Sequence, residues 1–229
     1  MAKKYNAFTG VTGFYYMPLN SSEVKSITEP ERIKYLQEIQ VSKEQSIEKA
    51  YGDNSVAELA VSNGTVELES TFHHLPIEDR EVLFGLEKSD DGIIGVGNNT
   101  PPYVAVMFEK TTESGSSEYV GLLKGMFTFP EVSGQTKEDG VEFSQDKSTA
   151  EFMPAEVEGF DTEQTMLLGQ DEKGTTTMRD AIFKKVFGKE HPDAKKSEEL
   201  SEEEESTGGL GGSSDLGSGL GGDSEGLTM

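Results

Sequence analysis

Apolar and polar residues in this chain alternate mostly at the two-residue period of β-strands. Between Pro101 and Phe129, two apolar runs, Tyr103–Phe108 and Tyr119–Phe129, flank a polar break at Thr111–Ser117. The break carries Gly115 and serines, which favour turns, so the stretch predicts a long hairpin. In the first run Tyr103, Ala105 and Met107 share one face, and Val104, Val106 and Phe108 share the other. Both faces are apolar, so the strand requires cover on both sides. In the second run Tyr119, Leu123, Phe127 and Phe129 alternate with Val120, Leu122 and Met126, and Lys124 is the one charge inside it. Gly121 and Gly125 leave space where a side chain would project, which predicts a close backbone approach or a bulge.

The flanking segments follow the same logic. Val11–Leu19 predicts a first strand that ends at Pro18, and Asn20–Ile33 a polar connection. Ile39, Val41 and Ile47 lie on one parity, with Glu38, Gln40, Ser42, Glu44, Ser46 and Glu48 on the other, which predicts a strand. Tyr51–Ser55 is a turn signal. Val56–Val61 is short and mixed, and Asn63–Gly64 predicts a tight turn into the strand Thr65–Phe72. Residues 35–73 together predict a long two-armed β element with a polar tip near Gly52–Asn54.

A helix is expected over 76–86. Pro76 suits its first turn, Glu78 and Asp79 its positive end, and Ile77, Val82, Leu83 and Leu86 its apolar side. Ser89–Thr100 and Glu131–Gly140 read as loops. Val141–Ser144 and Thr149–Met153 read as short strands, and Ala155–Thr176 as irregular. A second helix is expected over 177–187, with Thr177 and Asp180 as a capping box and Gly188 as its stop. Met178, Ala181, Ile182 and Val186 form its packing side. The class is mainly β (α+β), with an extended β arm. The organisation is a flexible N-terminus over 1–10, one domain over 11–190 and a disordered tail over 191–229.

Charge sharpens this picture. The 229-residue chain carries a formal net charge of −23. Residues 197–229 supply nine acidic side chains and nine glycines but no basic or aromatic residue. Such a segment buries too little apolar surface to offset its ordering entropy. The rest of the chain remains acidic and has no basic stripe, which argues against direct nucleic-acid binding. The absence of cysteine excludes disulfides and thiolate metal sites and suits a cytosolic protein. No apolar segment follows Lys3 and Lys4, so no secretory leader is expected, and no run approaches the ~20 residues of a membrane helix.

Candidate chemistry is sparse. His73 and His74 are adjacent at a strand end, so they point to opposite faces and cannot share a metal. Gly92–Gly97 contains a G-x-G but does not lead from strand into helix, as a phosphate loop requires. Ser89–Gly92 lacks the distant glutamate of a calcium loop and reads as a turn. Lys124 has no evident nucleophile partner and reads as a snorkelling or subunit-paired lysine. No catalytic residue, metal or cofactor is expected. Physical chemistry favours an assembly or binding role over an enzyme.

The order of landmarks adds a family. GVTGFYYMPL at 10–19, YGDNSVAE at 51–58 and HLPIEDREVLFGLE at 74–87 are followed by PPYVAVMFEKT at 101–111, YVGLLKGMFTFPE at 119–131 and MRDAIFKKVFG at 178–188. In this collinear arrangement the chain resembles the major tail proteins of long-tailed, non-contractile bacteriophages, which polymerise into the tail tube. The resemblance implies a tail-tube-type β-sandwich, hexameric rings stacked into a hollow tube, and passage of DNA through the lumen. It implies as partners further copies of the chain, together with tape-measure, tail-terminator and distal-tail proteins. It also implies assembly in the host cytoplasm and residence in the virion.

Within that frame the arm tip, Tyr51, Gly52, Asp53, Asn54 and Ser55, is the candidate subunit contact, since loops on a rigid scaffold often carry binding. The edges of the central strands are candidates for pairing between subunits. Glu38, Glu44, Glu48, Glu67, Glu69 and Glu142 are the candidate lumen-facing acids. The competing reading is a small β-sandwich binding module for a carbohydrate or receptor, which should display clustered exposed aromatics.

Overall fold

The structure is a computed structural model that describes residues 6–19, 28–132 and 144–194. Its elements, in chain order, begin with β1 (Phe8–Pro18), β2 (Glu31–Ile33), β3 (Leu36–Gly52), β4 (Ser55–Phe72) and α1 (Ile77–Leu83). They continue with β5 (Glu87–Lys88), β6 (Ile94–Gly95), β7 (Val104–Thr112), β8 (Ser117–Thr128), β9 (Asp146–Met153), β10 (Met166–Asp171) and α2 (Thr177–Phe187). β1 starts at Phe8, three residues ahead of the expected Val11, and ends at Pro18 as its ring requires.

The predicted central hairpin is the middle of the molecule. β7 pairs with β1 on one side and β8 on the other. The far edge of β8 is divided. Ser117–Leu122 pair with β10, and Lys124–Thr128 pair with β9. β9 then pairs with β4, and β4 with β3. The sheet therefore parts into two leaves at β8, and all pairings are antiparallel.

The parting coincides with an irregularity in the β7–β8 register between Val104/Gly125 and Val106/Leu122. One extra residue on β8 flips the side-chain alternation there. Tyr119 and Leu123 face the side that α2 covers, whereas Phe127 lies in the opposite core with Val120 and Leu122. The expected grouping of Phe127 with Leu123 fails for this reason. Gly125 sits just past the bulge, under the Phe152 ring, where a Cβ would come within 2.5 Å of Cδ1.

Both faces of the hairpin are covered, as their apolarity demanded. Val104, Val106 and Phe108 join Phe14, Tyr16, Leu68, Phe127 and Phe152 in the core between the leaves. Ala105 and Met107 join Ile182, Phe183, Val186 and Phe187 of α2 in a second core on the outside. The close neighbour at Gly121 is a helix side chain. A Cβ there would lie 2.5 Å from Val186 Cγ2, and one on Gly169 of β10 would lie 2.7 Å from Ile182 Cδ1. The two bare positions let α2 settle directly onto the sheet.

The helices depart from expectation in their details. α1 begins after Pro76 and leaves Ile77 exposed, while Leu83 is buried. Phe183 and Phe187 carry the buried face of α2 beside Ile182 and Val186, while Met178 and Ala181 are exposed. The capping box at Thr177 and Asp180 does not form. Instead Asp171 of β10 accepts the backbone N–H groups of Met178 and Arg179 at 3.0 and 3.1 Å, satisfying donors the helix leaves open. Gly188 ends α2 in the left-handed conformation expected of it. β10 falls in the segment read as irregular, and β6, inside the predicted loop, pairs back onto β5 just before it in a two-residue ladder. Asn63–Gly64 makes no turn. β4 runs straight through it with only a register shift opposite Glu44.

Candidate assembly surfaces

The β3–β4 hairpin outgrows the body. Its register runs from Leu36↔Phe72 to Gly52↔Ser55, with Asp53 and Asn54 as a two-residue turn. Both turn residues adopt positive φ, 49° and 60°, which the tightest hairpin loop demands and which Asp and Asn tolerate. From Lys43 outward, and back to Thr65, the side chains described are exposed. At ~3.3 Å per residue, the exposed part reaches about 30 Å. This is the two-armed element with a polar tip expected from sequence.

Its two faces differ. Ile47 pairs with Val61, Lys49 with Leu59, and Tyr51 with Val56. Partners directly opposite share a face. Ile47, Tyr51, Val56, Leu59 and Val61 therefore form one apolar face, and they are 47–71% exposed. Nearer the body the same parity carries Ile39 and Val41, packed on the core beside buried Val66 and Leu68. The core-facing side of the strands continues outward past the point where the described residues set anything against it. The charged residues of β3 on that face are Lys43 and Lys49.

The other face is acidic. Gln40 pairs with Glu69, Ser42 with Glu67, Glu48 with Ala60, and Glu67 in turn with Glu151 of β9. Glu38, Glu44, Glu48, Glu67 and Glu69 thus lie on one side of the hairpin, away from the core. Glu58 and Glu151 share it and were missed, because the register that aligns them with the others cannot be read from spacing within one strand. Lys147, opposite Thr71, also lies on this side. Glu142 lies outside the described residues.

The central strands offer no free edge. β7 is paired on both sides, and β8 is paired along both edges on either side of its bulge. The expectation that they pair between subunits gives way to plain core.

The remaining candidates resolve into local structure. His74 Nδ1 lies 3.1 Å from Asp146 Oδ2, which also accepts from Arg80 Nη2 at 2.8 Å and from Leu75 N at 2.8 Å. This junction ties the end of β4 and α1 to the start of β9. Burial raises the Asp146 pKa, but the Leu75 N–H bond and then Arg80 outweigh it and hold the carboxyl below the ordinary aspartate value. Tyr16 O–H donates to Asp79 Oδ1 at 2.6 Å. Burial pushes Asp79 above its ordinary value despite that bond, and pushes Tyr16 up as well. Lys124 Nζ sits 4.6 Å from the Tyr103 ring centroid, a partner within the subunit where snorkelling or a partner across subunits was expected. Gly92 closes a turn on Ser89 and Gly95 lies in β6, so neither glycine opens a helix. Among the described residues, no helix is long and apolar enough to cross a membrane.

A mainly antiparallel body, two layers of apolar packing and a projecting ribbon suit a structural role. Comparison with family models agrees and names it: the model for phage tail tube proteins matches residues 38–193, more than half of the chain, so the chain belongs to the phage tail tube family. It is a structural component of the virion tail and not an enzyme. No curated protein matches it.

Proposed function

We propose that this subunit assembles with copies of itself into hexameric rings, that the rings stack into a hollow tube, and that DNA passes through the lumen during ejection. The observation that carries this reading is the uncovered apolar face of the β3–β4 arm. Five large apolar side chains exposed on one ribbon are a cost in water that a partner removes. A ribbon about 30 Å long can reach such a partner. A ring contact that repeats head to tail closes by rotation, and stacking stays open, which gives a tube.

The acidic side of β3, β4 and β9 is the surface we assign to the lumen, through Glu38, Glu44, Glu48, Glu67 and Glu69. Carboxylates facing a phosphate backbone repel it, so DNA slides without adhering. The opposite leaf is less suited to this role, because α2 covers the outer side of β7 and β8. The arm tip, Tyr51–Ser55, is the assigned subunit contact. Tape-measure, tail-terminator and distal-tail proteins are the further partners this role requires, with assembly in the host cytoplasm. A separate carbohydrate- or receptor-binding module is set aside, because the family is structural.

Electron microscopy of the purified protein at high concentration tests the reading. Rings or tubes with a central hole are expected. A protein that stays a monodisperse monomer at all concentrations would refute it.

A further inference from the structure

The arm needs a receptor, and the body carries a groove that fits it. This groove, of about 680 Å³, lies between α1 with the residues just after it and the loop 98–103 that leads into β7. Val82, Leu86, Pro101, Pro102, Tyr103 and Met126 give it its apolar part, and Glu81, Glu87 and Lys88 are the charged residues that line it. Gly85 shapes it. Its backbone has φ +61°, and a Cβ there would lie 2.5 Å from the Thr100 carbonyl oxygen, so the loop rests directly on the helix end. The volume is within the range that encloses a compact apolar ligand, enough for several side chains of a ribbon tip.

We propose that the arm of one copy seats its apolar face in this groove of another copy. Tyr51, Val56 and Leu59 enter the apolar lining, and Lys49 faces Glu87 and Glu81. The inference rests on the self-assembly reading and names the surface that receives the arm. Charge favours this groove, whose lining carries Glu81 and Glu87 against Lys88 alone. A second concavity, of about 290 Å³, is lined by Arg32, Lys34 and Tyr35. It would repel the arm's lysines, and it adjoins the root of the subunit's own arm at Leu36. In the first groove Glu81 lies 3.9 Å from Lys88, a long contact, and Glu87 has no ion pair among the described residues. Opposite charges brought together at an interface fix its register and reject wrong partners.

The chain has no cysteine, so introduced thiols report contacts without background. The double variant Tyr51→Cys, Leu86→Cys, assembled and then oxidised, should run as a ladder of covalent multimers on a non-reducing gel. The double variant Tyr51→Cys, Lys34→Cys should not. A ladder from the second pair, or none from the first in assemblies that form normally, would overturn the proposal. Should the cysteine variants fail to assemble, charge reversal decides. Lys49→Glu should raise the concentration needed for assembly about tenfold, the effect of losing ~1.4 kcal/mol. Adding Glu87→Lys should restore it, and a double variant no better than the single would also overturn the groove. Failure of the unmodified protein to assemble strikes the self-assembly reading itself and is visible before any variant is made.

Discussion

Gly121→Ala is a one-atom-group change that tests how α2 is held. The new Cβ would lie 2.5 Å from Val186 Cγ2 and 2.9 Å from Ile182 Cγ2, inside the distance that carbon atoms keep. Both side chains are 6% exposed, so neither can swing into solvent. Overpacking of this sort costs about 1–3 kcal/mol. Replacing a strand glycine by alanine recovers about 0.5–1 kcal/mol of backbone entropy. The clash wins, and the net loss should be about 1–2 kcal/mol. Val186→Ala alone removes two buried methyl groups, at ~0.8 kcal/mol each before any cavity cost. In that background the nearest clashing atom is gone, so Gly121→Ala should cost about 1 kcal/mol less than in the parent. Urea denaturation at a dilution where the protein is monomeric measures all four corners of the cycle, with a constant slope as the check on two-state behaviour. If the two changes add to within ~0.5 kcal/mol, α2 does not rest on Gly121 and the outer core is wrongly described.

Other substitutions bear on charge and assembly. Asp146 titrates below its ordinary value in the fold, so its stabilisation is present above the unfolded pKa and is lost as pH falls through the folded one. Asp146→Asn should cost about 1–2 kcal/mol at neutral pH, and the gap to the parent should narrow below about pH 4 in a thermal-unfolding pH series. Asp79 is shifted the other way, so its contribution is full below the unfolded pKa and is lost as pH rises through the folded one. Asp79→Asn still accepts the Tyr16 hydroxyl and should unfold at a higher temperature than the parent at neutral pH, with the two converging in acid. Deleting residues 197–229 removes nine of the negative charges and should leave tube formation intact by electron microscopy, with failure to assemble contradicting a dispensable tail.

What the sequence revealed follows from where the information sits. The arm and the central hairpin were legible because alternation, turn residues and apolar cover all act within a few residues of one another. Asp53 and Asn54 announce their turn locally. The bulge in β8 was only half legible. Gly125 flagged a disturbance, but the parity flip that moves Phe127 into the inner core depends on a register set by β7. The cap on α2 was missed because Asp171 belongs to another element, six residues upstream of the helix start. β10 was missed because Met166–Asp171 is short and carries Gly169, whose value lies in what packs over it. The acidic candidates on β3 and β4 fell on one face because each strand keeps its own parity. Glu58 and Glu151 joined them only through pairings between strands, and Asn63–Gly64, a good turn by composition, was overridden by continuous pairing with β3.

The connectivity also has a kinetic consequence. β3 and β4 are joined by two residues, so their ribbon can zip on the microsecond scale of a hairpin. β1 finds β7 only by bringing Phe8 to Thr112, across most of the domain. Distant pairings pay their closure entropy before any contact rewards it, and they form late. The ribbon with its apolar face can therefore form before the rest of the body has condensed, and the first strand of the chain is among the last to find its place.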